Sequence, residues 1–225
     1  MTAEAALAHD AADESSVYTA AIILRLRGLG IANHAVLKAI ETVPRELFVP
    51  KEFREHAYSD CALPIDCGQT IPAPSVVGRM TAALEVGDLH SVLEIGTGAG
   101  YHAAVLARLA RRVTTIERFR TLAKQAERHL IALGLRNISA VIADGTLGWK
   151  RQAPFDRILV SAAVAAPPTG LLAQLDDAGI LVAPLGLKPG QQRLTLFRRS
   201  GQSFDARDLG PAQFLPVIQG VALSL

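Results

Sequence analysis

The chain has 225 residues, 50% of them hydrophobic, enough to bury a sizeable core in one catalytic unit. Its 23 basic and 21 acidic residues leave a formal charge of +2, which supplies no field of the kind that nucleic acid or an anionic membrane surface requires. No apolar run approaches the ~20 residues of a membrane span, and the opening stretch lacks the basic start and apolar block of a signal peptide, so a cytoplasmic location is expected.

Residues 1–16, alanine-rich with Glu4, Asp10, Asp13 and Glu14, read as a flexible, solvated tail. Ser15 or Ser16 is placed to cap a helix through Tyr18, Ile22 and Leu26 to a stop at Gly28, and Asn33 to cap a second carrying Val36, Leu37 and Ile40, ended by Pro44. Between Val49 and Pro74 five breakers punctuate the chain around the apolar Ala62-Leu-Pro-Ile65, which predicts a shaped loop packed on the protein. Cys61 and Cys67 do not stand at metal-ligand spacing and read as reduced thiols; no metal site is expected.

From Val76 the rhythm alternates helix and strand, the pattern of a doubly wound, mostly parallel sheet. Strands are predicted near Ser91–Ile95, Val113–Glu117, Ile138–Ile142, Arg157–Ser161 and Ile180–Ala183, and helices near Tyr101–Ala110, Thr121–Leu133 and Thr169–Leu175. Arg193–Arg198, Phe204–Asp208 and Gln213–Val217 read as antiparallel C-terminal strands. Residues 17–225 are thus expected to form a single domain: N-terminal helices and a loop (17–75), a ligand-binding core (76–186) and C-terminal strands (187–225).

The chemistry concentrates at Glu94-Ile-Gly96-Thr97-Gly98-Ala-Gly100, where an apolar strand hands over to a helix and glycines allow a ligand close to bare backbone. The spacing is G-x-G-x-G: Tyr101 stands where a dinucleotide fingerprint places its third glycine, and no Gly-Lys-Ser/Thr follows to meet phosphates. An acidic residue ahead of the loop, Glu94, disfavours a pyrophosphate and suits a ligand bearing an ammonium and a sulfonium. Glu117 closes the next strand, where a carboxylate can accept both hydroxyls of a ribose, and Asp144-Gly145 follows the third, at the height of an adenine amino group. These positions together point to S-adenosylmethionine. Three residues nearby read more plainly: His102 as a partly exposed histidine at a helix start, Met80 as core, and Trp149 either as a stacking partner for adenine or as a gap filler.

The residues also resemble one family, the protein-L-isoaspartate O-methyltransferases, from about Leu24 to Val217. The likeness is carried by Val43-Pro-Arg-Glu-Leu-Phe-Val-Pro50, Ala57-Tyr58 with Asp60, Leu63-Pro-Ile65, Gly68-Gln-Thr-Ile71 with Pro74, the glycine loop through Tyr101, Asp144-Gly145, Ala153-Pro-Phe-Asp156, Gln174-Leu175, Pro184-Leu-Gly186 and Phe214-Leu-Pro-Val217. The resemblance implies a Rossmann-like methyltransferase fold and a cytoplasmic protein-repair enzyme, expected as a monomer. The methyl group would pass from S-adenosylmethionine, leaving S-adenosylhomocysteine, to the α-carboxylate of isoaspartyl residues in damaged proteins or peptides. It also implies cofactor roles for Glu94, Gly96, Thr97, Gly98, Gly100, Glu117, Asp144 and Gly145, and a peptide lying across Ile71, Pro72, Ser75 and Phe214.

One departure stands out. The family usually reads Gly-Gln-Thr-Ile-Ser with an active-site serine, and this chain has Pro72 there, without a hydroxyl or an N–H. Gln69 and Thr70 remain as candidate catalytic residues to orient the acceptor, or else satisfy backbone groups in a buried turn. Ser75 either begins the helix carrying Val76, Val77 and Met80 or stands in for the missing serine. Pro72 therefore leaves two alternatives open: an altered carboxylate acceptor, or a non-catalytic homologue that binds adenosyl ligands.

Overall fold

The computed structural model describes residues 17–222; the expected tail and the Ser15 or Ser16 cap lie outside them. A helix over 17–28 (α1) and α2, His34–Thr42, open the fold. Asn33 caps α2 by accepting the Val36 N–H at 3.2 Å. A 3₁₀ turn over Arg45–Phe48 follows, and then, where the sequence predicts a packed loop, a small hairpin: β1, Leu63–Ile65, pairs antiparallel with β2, Gln69–Ile71. Each strand is three residues long and one contains Pro64, too short and too interrupted to show a period of two.

After α3, Pro74–Leu84, comes the main sheet. Its strands are β3 Ser91–Ile95, β4 Arg112–Glu117, β5 Ile138–Ile142, β6 Phe155–Val160, β7 Leu175–Leu185, β8 Arg193–Ser200 and β9 Ser203–Pro211, in the order β5-β4-β3-β6-β7-β8-β9. The pairs from β5 through β7 are parallel and the last two are antiparallel, so the predicted mostly parallel sheet with antiparallel additions is the one observed. Three helices connect the strands: α4 Tyr101–Ala107, α5 Arg120–Ala132 and the short α6 Thr169–Leu172, which ends three residues before the prediction because Leu175 already pairs with Phe155.

Alternation along β3 sorts the core. Leu93 and Ile95 join Ile158, Val160, Leu171 and Leu181 on one face, while Val92 joins Met80, Leu84, Leu106 and Val113 on the other. Glu94 lies on the Val92 side and is fully buried. The chain runs from β3 outward to β5 and returns to β6 on the other flank of β3, which opens a crevice at the C-terminal ends of β3, β4 and β6.

The predicted strand at Gln213–Val217 is not formed. Pro216 has no N–H to donate to a ladder, and the segment instead crosses the strand ends: Ala163 donates to Leu215 O and Val217 to Ala163 O, both at 2.8 Å, and further on Ala222 meets Phe119 in an isolated bridge. It becomes a strap over the crevice. Among the described residues no helix is long and apolar enough to cross a membrane.

Candidate functional site

The glycine loop turns where β3 ends. Gly96 and Gly98 have φ of +92° and +54°, values that a side chain rarely adopts, and both face a cleft that also takes in Ile95, Ile116, Glu117, Phe119, Gly145 and Ser161. Pro216, Val217 and Ile218 of the strap close its far side. Glu117 accepts the Gly98 N–H at 2.9 Å and the Phe119 N–H at 3.0 Å, so one carboxylate fixes both the loop and the strand end. Burial raises its pKa, against the lowering effect of those N–H groups and that of Arg118.

The structure separates residues that sequence reading grouped together. Gly100 does not line the cleft: a Cβ there would sit 3.1 Å from the Ala126 Cβ, so this glycine serves the packing of α4 on α5. Thr97 is buried and hydrogen-bonded to Thr115 at 2.6 Å. Asp144 is turned aside, accepting from Thr146 N–H at 2.9 Å and from Gly220 N–H of the strap at 2.8 Å, while Gly145 remains in the cleft wall.

Glu94 overturns the charge argument made for it. Its Oε2 accepts from Thr115 at 2.5 Å, its Oε1 has no partner, and burial pushes its pKa up to about 8, so the group is mostly neutral at pH 7 and repels nothing. The loop spacing and Glu117 are what remain to separate this site from a phosphate cradle. His102 is likewise corrected: it is buried, bonds Thr81 at 2.9 Å through Nε2, and is held neutral by burial, its pKa lowered to about 3. Trp149 packs beside the Leu93 face of the core and does not line the cleft; it fills a gap. Met80 is core as expected.

A second cleft, about 250 Å³, lies against the first. Gln69, Thr70, Pro72, Ser161 and Phe214 line it, with Asp60 and Cys61 at one end, and Gln69, Thr70 and Ser161 belong to both clefts. On β2 the outward residue Thr70 is exposed, whereas Ile71 turns inward against Leu63 and is 3% exposed, which makes it a core residue more than a contact surface. Phe214 is fixed by a reciprocal pair with Gln192, 2.7 and 2.9 Å. Ser75 does not replace the missing serine. Asp60 accepts its backbone N–H at 2.9 Å, and so caps α3 from outside the helix.

The Pro-Arg-Glu stretch proves to be the frame of this second cleft. Arg45, 1% exposed, donates to Ala57 O at 2.7 Å and Cys61 O at 3.4 Å and lies over the Tyr101 ring, while Glu46 accepts from Tyr58. A buried guanidinium thus ties the loop that carries Asp60 and Cys61 to the start of α4. Sequence reading missed Ser161, Phe119 and the strap residues as cleft walls; the rule that ligands sit where the strand order reverses was the available signal for Ser161.

The cleft fits an adenosyl ligand by its lining: an accepting carboxylate, Glu117, among the apolar side chains of Ile116, Phe119, Val217 and Ile218, next to loop backbone left bare by Gly96 and Gly98. The comparisons with known proteins agree. A family model described as "Protein-L-isoaspartate(D-aspartate) O-methyltransferase (PCMT)" matches residues 18–222. The chain is 48% identical over 217 residues to a protein-L-isoaspartate O-methyltransferase of Caulobacter sp. strain K31, covering 96% of this chain and 99% of that one. It is 47% identical over 212 residues to the Parvibaculum lavamentivorans protein of that name, covering 93% and 96%. A solved protein-L-isoaspartate O-methyltransferase superposes with a TM-score of 0.80 at 27% identity, covering 88% of this chain and 65% of that one. A Plasmodium falciparum structure described by the same family name, in complex with S-adenosyl-L-homocysteine, gives 0.74 at 20% identity over 88% and 97% and shares the fold. The chain belongs to the protein-L-isoaspartate(D-aspartate) O-methyltransferase family.

Proposed function

We propose that the protein transfers a methyl group from S-adenosylmethionine to the α-carboxylate of L-isoaspartyl residues in damaged proteins or peptides, acting as a cytoplasmic monomer without nucleic acid or membrane. The observation that carries this reading is the shared wall: Gln69, Thr70 and Ser161 line both the glycine-loop cleft and the cleft beside Pro72. A donor in one and an acceptor in the other meet without a third component between them.

S-adenosylmethionine supplies an electrophilic methyl on a sulfonium. Glu117, Gly96, Gly98 and Gly145 would hold it, with Ile116 and Phe119 against its base. A peptide α-carboxylate with a pKa near ~3.5 is already ionised at pH 7, so no residue has to remove a proton. What the protein contributes is position: rigid strand ends that hold the acceptor in line, and a strap that excludes water. The ester formed then closes to a succinimide as the next residue's backbone nitrogen displaces methanol, and hydrolysis of that ring by water can give aspartate.

Incubation with S-adenosylmethionine and an isoaspartyl peptide is expected to release S-adenosylhomocysteine, with no release from the aspartyl counterpart. Absence of turnover while S-adenosylhomocysteine binds would exclude this acceptor. Pro72 supports a second reading, a different carboxylate acceptor, because it lines the acceptor cleft without a hydroxyl or an N–H. Equal turnover of isoaspartyl and other carboxylate peptides would favour it.

A further inference from the structure

Two hydroxyl residues, Thr70 and Ser161, line not only both clefts but also a chamber of about 40 Å³ walled by Pro72 and the glycine loop. Thr70 is exposed on its hairpin. Ser161 differs in three respects. It stands just past the end of β6, in the centre of the sheet, and its backbone N–H is pinned to Ile95 O at 2.8 Å. Its Oγ is buried and has no hydrogen-bond partner in the structure. A buried hydroxyl left unpaired is unfavourable in the free protein and is retained where a ligand completes it.

We infer that Ser161 binds and orients the acceptor directly. Its hydroxyl donates a hydrogen bond to the isoaspartyl carboxylate, and so supplies from the sheet what a serine at position 72 supplies from the loop in the family pattern. This rests on the proposed acceptor. In the transfer, one carboxylate oxygen bonds to the methyl carbon while the carbon–sulfur bond breaks and its electron pair returns to sulfur. The Ser161 proton stays on its own oxygen throughout.

The test is a pair of substitutions assayed with an isoaspartyl peptide. Ser161→Ala is expected to lower kcat/KM about tenfold. The affinity for S-adenosylhomocysteine should stay within twofold by calorimetry, and the melting temperature should not fall, because the hydroxyl removed has no partner in the free protein. In a Pro72→Ser background the same change is expected to cost less than threefold, since the second hydroxyl serves the same carboxylate. Undiminished turnover by Ser161→Ala overturns the inference. So does an equal loss in both backgrounds, or a loss matched by weaker S-adenosylhomocysteine binding or a lower melting temperature, either of which marks a structural role. A parent protein that binds S-adenosylhomocysteine but does not turn over the peptide overturns the acceptor reading, and this inference with it; the other outcomes overturn the inference alone.

Discussion

Replacing Glu94 by glutamine tests whether the acid ahead of the glycine loop acts as a charge or as a neutral buried group. Its carboxyl is pushed from an ordinary 4.5 to about 8 by burial, so between these values the folded protein binds a proton that the unfolded chain does not. Stability is then present at low pH and is lost as pH rises through the folded value. His102 works the other way. Its pKa falls from 6.5 to about 3, so its contribution grows as pH rises and is nearly complete above 6.5. Glu94 is therefore best isolated between pH 6.5 and 8. At roughly 1.4 kcal/mol per pH unit, and with the carboxyl half ionised at the upper end, the parent loses about 1–2 kcal/mol relative to Glu94→Gln over that interval. Glutamine keeps the shape and an oxygen for the Thr115 hydroxyl, so it should be nearly neutral at pH 6.5. Urea titrations at the two pH values read the effect as a difference of about 0.5–1 M in midpoint shift. Parent and variant curves that move in parallel would refute the argument, and with it the neutral state of Glu94.

Three further substitutions and one neutral control probe the frame. Glu117→Ala leaves the Gly98 and Phe119 N–H groups without their acceptor and removes the carboxylate from the cleft, so S-adenosylhomocysteine should bind about 10- to 100-fold more weakly by calorimetry. Arg45→Met strands the carbonyls of Ala57 and Cys61 and should cost about 3 kcal/mol, seen as a melting temperature lower by about 6–10 °C. Gly145→Ala places a Cβ 2.4 Å from Cγ2 of the stiff Ile95 side chain, with an expected cost of about 1–3 kcal/mol, whereas Gly170→Ala meets nothing within 4 Å and should be close to neutral by the same measurement.

What the sequence made legible follows from periodicity and punctuation. The five strands from β3 to β7 announced themselves as apolar runs closed by Gly96, Glu117, Asp144, Ser161 and Gly186, each at a C-terminal end, and strand ends in a parallel sheet are where a crevice opens. What stayed hidden depends on which way a side chain turns within that crevice. Nothing in Glu94-Ile-Gly-Thr-Gly-Ala-Gly100 says that Glu94 falls on the α4 side of the sheet, that Thr97 turns to Thr115, or that Gly100 makes room for Ala126. The family resemblance gives all three a cofactor role by position, and position along the chain does not say which way a side chain turns.

The region around Pro72 is likewise framed by contacts between stretches far apart in the chain. Arg45 lies 12 residues from Ala57 and 16 from Cys61, contacts that no local pattern encodes, yet they fix the loop that forms one end of the second cleft. The other end is set by Gln192 gripping Phe214, and Ser161, just past the end of β6, adds a third wall. Three distant stretches thus converge on Thr70 and Pro72, and the hairpin that carries them contributes side chains more than rigidity. A proline just past such a hairpin removes a hydroxyl and an N–H without disturbing the frame, because Asp60 holds the start of α3 through Ser75 and Leu63 faces Ile71 on the strand before it. A site framed from several elements can lose one polar contact and keep its shape, so the effect of Pro72 should appear in the handling of the acceptor and leave donor binding and stability unchanged.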